Sequence, residues 1–243
     1  MAQVSQRTGF SHSALVRLLQ GLAGTELRAP RQASADQLSQ WFGWTDAISL
    51  SAALDGNAAA PAGGRLRPAE AEARECLRVR SALAKAIAED GAWQGGKEAP
   101  AAVADFAPYR RRYLAQQQAL DAAVGSLRGR LRAVLAGRSP AMARLAAVDV
   151  VMEQVLAARE RSFLASVPGM LEKHFGRLRT AGAEAPGDAG EGGEAGEGGQ
   201  SGAWLEVFHG DIRNVLLAEL DFRFQPVEGL LEALRMRPPG CHE

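Results

Sequence analysis

The chain has 243 residues, 47% hydrophobic and 23% charged, with equal numbers of basic and acidic side chains. That apolar content can build a core, which excludes a wholly disordered chain, and zero formal net charge excludes a polycation overall. Two cysteines, Cys76 and Cys241, are too few for a disulfide framework. No run of about 18 apolar residues offers a membrane span. The first residues, MAQVSQRTGFSHSALVRLL, lack a basic region leading into an apolar stretch, so they do not read as a signal peptide. Cys241-His242-Glu243 is no prenylation box. The expected location is the cytoplasm.

In chain order, Ser11 can cap a helix over 12–22 carrying Leu15, Val16, Leu18, Leu19 and Leu22 on one stripe. Ser34 with Gln37 reads as a capping box for a second helix, whose apolar face is Leu38, Trp41 and Phe42. Gly43 ends it, and Thr45 or Asp46 caps a third helix with Ile48, Leu50 and Leu54. Together these predict an N-terminal helical block over 1–55, followed by a Gly/Ala-rich linker at 56–67. Pro68 opens a helix to Asp90 with Cys76, Leu77, Val79, Leu83 and Ile87 as its apolar positions.

Tyr113, Gln117, Leu120, Val124, Leu127, Leu131 and Val134 then repeat at spacings of four and three, a heptad seam on a long helix over 105–137. Gly137-Arg138-Ser139-Pro140 supplies a helix end, a cap and a first-turn proline in succession. So short a connection to a second long helix, over 140–166, predicts an antiparallel hairpin. Pro168-Gly169 is expected to kink or break that arm before a last piece over 169–180. Residues 181–202 are Gly-rich and acidic with no base, and read as a disordered insertion. Helical spacing resumes with Trp204, Phe208, Ile212 and Leu216, and Pro226 opens a further helix. The fold class is therefore all-α: a long helical hairpin or bundle over 68–180, the small N-terminal block, and C-terminal helices over 203–243 packing on the bundle.

No motif carries catalysis. HxxxH, HExxH and CxxC spacings are absent, as are GxxxxGK[ST] and GxSxG, so neither a metal, a cofactor nor an enzymatic function is expected. His209-Gly210-Asp211 lies in an amphipathic helical pattern and reads as bearing a surface histidine. Charge is uneven: residues 1–104 carry a net +1, 105–180 a net +7, and 181–243 a net −8. The basic stretch places Arg110, Arg111, Arg112, Arg128, Arg130 and Arg132 on one helix with Phe106, Tyr109 and Tyr113 between them. A helical arm of this kind can track phosphates, making nucleic-acid binding the alternative function. Long hairpin arms also need charged outer faces, which is the simpler account. Trp41, Phe42 and Trp44, with Asp46, form the candidate protein-interaction site, because tryptophan is a favoured interface anchor. The simpler account is that the same residues form the block's own core or pack it on the hairpin. Self-association through the heptad seam is a further possibility.

The segment QLSQWFGWTDAISLSAAL (37–54) resembles the N-terminal signature of an uncharacterised proteobacterial family, a domain of unknown function. QRTGFS (6–11), YRRRYLAQQQAL (109–120) and FQPVEGLLEAL (224–234) resemble it too, so the likeness spans most of the chain, with 181–202 as a local insertion. The family has no established activity, so the resemblance transfers no catalytic residue. It implies company with membrane proteins resembling proton-channel motor components, and hence a cytosolic accessory role. The expectation is a non-enzymatic helical adaptor that binds protein partners.

Overall fold

A computed structural model describes residues 13–24, 40–56, 68–91, 105–184 and 203–236. Among these residues the chain is helical and has no strand. The helices are α1 (Ala14–Ala23), α2 (Trp44–Asp55), α3 (Ala69–Ala88), α4 (Ala107–Ala136), α5 (Pro140–Glu184) and α6 (Ala203–Arg235). Expectations for 34–39, for the linker at 57–67, for most of the acidic insertion and for the Cys241-His242-Glu243 tail fall outside the described residues.

Local chemistry sets the helix ends. Ser13 caps α1, its hydroxyl accepting from the Val16 N–H at 3.3 Å, and Gly24 closes it at φ 63°, a conformation that favours glycine. The cap is thus Ser13 rather than Ser11. Asp105 accepts from the Ala107 N–H at 3.0 Å to start α4. Ser139 accepts from the Met142 N–H at 3.2 Å, so Gly137–Pro140 is the turn its sequence describes.

Two prolines act differently from expectation. α5 runs on through Pro168, so the arm is not broken there, and α6 runs unbroken through Pro226, so the expected new helix is absent. Interior proline costs a helix about 3 kcal/mol. Each of these prolines is flanked by buried side chains on the same helix: Leu164, Val167 and Leu171 around the first, Phe224, Val227 and Leu230 around the second. Burial at about 1.5–3 kcal/mol per side chain outweighs the missing rung. The helix also extends to Glu184, so residues 181–184 are not part of an irregular insertion.

The described residues fall into two compact units. The first unit gathers 13–24, 83–91, 105–119, 165–184 and 203–222; the second gathers 40–56, 68–82, 120–164 and 223–236. α1 and α2 therefore belong to different units. The reason is that α2 buries no side chain, so it has no core to share with α1.

The first unit is built on aromatic packing. Phe175 meets Phe208 at 5.0 Å between ring centres, Trp204 at 5.2 Å, and Phe106 and Tyr109 at 5.8 Å each. Tilted and edge-on pairs of this kind contribute about 0.5–1.5 kcal/mol each beyond burial. Leu15, Leu19 and Leu22 complete this core.

The second unit contains the turn end of the α4–α5 hairpin, residues 120–164. On α4 the buried positions are Leu120, Val124, Leu127, Leu131 and then Leu135, not Val134. A straight helix repeats every 3.6 residues, and the last step of four absorbs the drift from the heptad. α5 faces the turn end with small Ala143 and Ala146, leaving Leu145 exposed. On α3, Leu77 is exposed as well, while Glu72 is buried.

Candidate protein-interaction surface

α2 begins where Gly43 leaves helical geometry, and Asp46 reaches back to accept the Gly43 N–H at 2.9 Å. Asp46 is thus engaged at the helix start, where a carboxylate also suits the helix dipole. At 100° per residue, Trp44, Ile48 and Leu54 share one face within about 120°. That face is open: Trp44 is 83% exposed, Ile48 55% and Leu54 54%. Ala53, opposite Trp44, and Leu50, on the flank beside Leu54, are half-buried. Just before α2, Trp41 and Phe42 are half-buried, and the Arg159 guanidinium stacks over the Trp41 ring at 4.8 Å. The cluster therefore divides. Trp41 fixes the entry to α2 through a cation–π contact, Phe42 is partly covered, and Trp44 projects outward. Neither pure core nor pure interface describes all three.

The six arginines of the alternative site divide too. Arg128 and Arg132 both clamp Asp149, at 2.8 and 2.6 Å, and both reach Glu153. Arg130 pairs with the buried Glu72 at 2.8 Å, and Arg112 with the buried Asp90 at 2.6 Å. Arg110 and Arg111 stand exposed. Asp149 loses solvent by burial, which raises its pKa, but the two guanidiniums more than reverse this and hold it below the ordinary carboxylate range. The uneven charge of the sequence disappears at this level. The described residues of the first unit hold nine basic and nine acidic side chains, and those of the second hold twelve and eleven. A phosphate-binding stripe needs uncompensated cations, and four of these six arginines are spent within the fold.

A family model for proteins of unknown function, DUF3348, matches residues 1–236. The chain belongs to the DUF3348 family. No curated protein and no solved structure matches it.

Other polar groups of this DUF3348 chain escaped the sequence. His209, read as a surface histidine, is only 4% exposed, and its Nε2 lies 3.1 Å from the Tyr109 hydroxyl. Burial first, and Arg213 second, push its pKa below the ordinary histidine value. Glu219 is fully buried and accepts from the Tyr113 hydroxyl at 2.7 Å and from Gln117 Nε2 at 2.9 Å. His174 Nε2 lies 2.7 Å from Asp211. Periodicity had marked Tyr113 and Gln117 as inward-facing, which was a usable signal that a polar partner waits inside; nothing local in the sequence singled out Glu219. Among the described residues no group of three or more His, Cys, Asp or Glu side chains could hold a metal ion, and no helix is long and apolar enough to cross a membrane.

Proposed function

We propose that this protein is a non-enzymatic helical adaptor in the cytoplasm, and that the open face of α2 is where a protein partner docks. The observation that carries this reading is Trp44, 83% exposed beside exposed Ile48 and Leu54 on a helix that buries nothing. A tryptophan left in water forfeits the largest apolar burial of any side chain, and rigid aromatic side chains are the usual energetic centres of interfaces. Helices dock in grooves by presenting such anchors along one face. The cation–π contact of Arg159 with Trp41 holds the start of α2 in place, which lowers the ordering cost of docking.

The test is affinity purification of the full chain from its native cell beside Trp44→Ala and Ile48→Ala, with helicity checked by circular dichroism. The reading expects a protein that co-elutes with the parent and is lost with both variants at unchanged helicity. Equal recovery with parent and variants would remove α2 from the interface.

A further inference from the structure

Both histidines among the described residues, His174 and His209, belong to the first unit, and they are placed differently. His174 on α5 is paired with the Asp211 carboxylate at 2.7 Å, so a proton there finds its counter-charge in place. His209 on α6 is 4% exposed and has no carboxylate against it. Its ring stands 5.4 Å from that of Tyr109, and its Nε2 lies 3.1 Å from the Tyr109 hydroxyl. Its Nδ1 is buried with no hydrogen-bond partner among the described residues.

The surroundings of His209 do not neutralise a cation. From α4 it faces Tyr109, whose burial pushes its pKa up and keeps the hydroxyl neutral. From α5 the titratable group on this core is His174, which lies across the Phe208 ring and already holds Asp211. α1 and α3 place no charge among those that act on it. On α6 itself those charges are Arg213 and Glu206. Glu206 is exposed, and Arg213 has its own Nε buried with no partner among the described residues. A proton on His209 therefore adds a second cation beside Arg213 and an N–H at Nδ1 with nothing to bond, a costly arrangement away from water.

The second unit is built otherwise. Its described residues hold no histidine. Its Glu160 is pushed up in pKa, chiefly by burial, so that group adds stability as pH falls. The clamp on Asp149 yields only in stronger acid, below about pH 4.

We infer that the first unit carries an acid-sensitive latch: when His209 takes a proton, α6 over 203–222 lifts from α4 and α5 and bares the Phe106, Phe175 and Phe208 core, while the second unit keeps its packing. Compact units of a fold open with separate free energies, and a buried histidine turns a small pH change into such an opening. The folded pKa of His209 is lowered, so its contribution is present above the unfolded value of about 6.5 and is lost as pH falls below it. The opening constant then rises by at most about tenfold per pH unit, or about thirtyfold between pH 7.5 and 5.0.

The experiment is amide hydrogen exchange of the full chain at pH 7.5 and 5.0, read by mass spectrometry as protection factors corrected for the intrinsic effect of pH. In the parent, protection over 203–222 should fall by about ten- to thirtyfold and that over 120–164 by no more than about twofold. His209→Gln, which puts a neutral amide in place of the ring, should hold the fall over 203–222 to about threefold or less. His174→Gln should leave the fall as it is in the parent. A pH effect that survives His209→Gln, or that disappears with His174→Gln alone, overturns the inference. So does parent protection over 203–222 that is equal at the two pH values, or that is lost equally over 120–164, and these two outcomes do not depend on any variant folding.

Discussion

α1 and α2 each carry seven apolar residues, in ten and twelve positions, yet α1 buries three leucines and α2 buries nothing. In α1 the large side chains Leu15, Leu19 and Leu22 fall on one line at spacings of four and three, so a single approach to the core covers them all. In α2 the apolar residues are spread around the helix. Ala53 lies opposite Trp44 and Leu50 on the flank beside Leu54, both half-buried, while Trp44, Ile48 and Leu54 are exposed. Apolar content tells how much a helix could bury; its angular distribution tells whether one contact is enough. On the proposed reading, the open face of α2 makes its contact with a partner.

The comparison can be broken by substitution. Leu19→Ala in α1 should cost about 2–5 kcal/mol of unfolding free energy by urea denaturation, because it opens a cavity in a packed core. A cost below about 1 kcal/mol would mean that α1 is no more anchored than α2. Asp149→Asn, which removes the carboxylate clamped by Arg128 and Arg132, should cost about 1.5–3 kcal/mol. Because the pKa of Asp149 is lowered in the folded state, its contribution is present above the unfolded carboxylate value and is lost as pH falls through the folded value. The parent should therefore lose stability below about pH 4 and Asp149→Asn should lose less. His209 acts at higher pH. Its folded pKa is lowered, so its contribution is complete above the unfolded value of about 6.5 and declines as pH drops below it. Urea midpoints between neutral and mildly acidic pH should fall for the parent, with a slope of at most about 1.4 kcal/mol per pH unit from this group, and His209→Gln should flatten the slope. An unchanged slope would remove His209 as its source.

Periodicity and turn chemistry made much of the fold legible. The seam from Tyr113 to Leu131 is a repeat of three and four residues, and the turn from Gly137 to Pro140 closes on the Ser139 cap, so both patterns are written locally. Pro168 and Pro226 misled because their local signal is genuine and was outweighed by burial on both sides, which no local pattern reveals. The division between α1 and α2 was illegible for a related reason: which elements share a core is decided by distant segments. At the candidate site, the tryptophan pair was visible as a cluster. Its split into an anchored Trp41 and an open Trp44 depended on Arg159, more than a hundred residues away in sequence. The arginines looked like a surface stripe because their partners Glu72, Asp90 and Asp149 are scattered along the chain.

The most direct test of the central claim, that the outer face of α2 serves a partner rather than the fold, is the unfolding free energy of Trp44→Ala/Ile48→Ala measured on dilute, unassociated protein. Exposed side chains away from any core change stability by about 0.5 kcal/mol or less each, so the pair should stay within about 1 kcal/mol of the parent. A loss of about 3 kcal/mol or more, the cost of emptying a packed site, would place these side chains in the core and contradict the account.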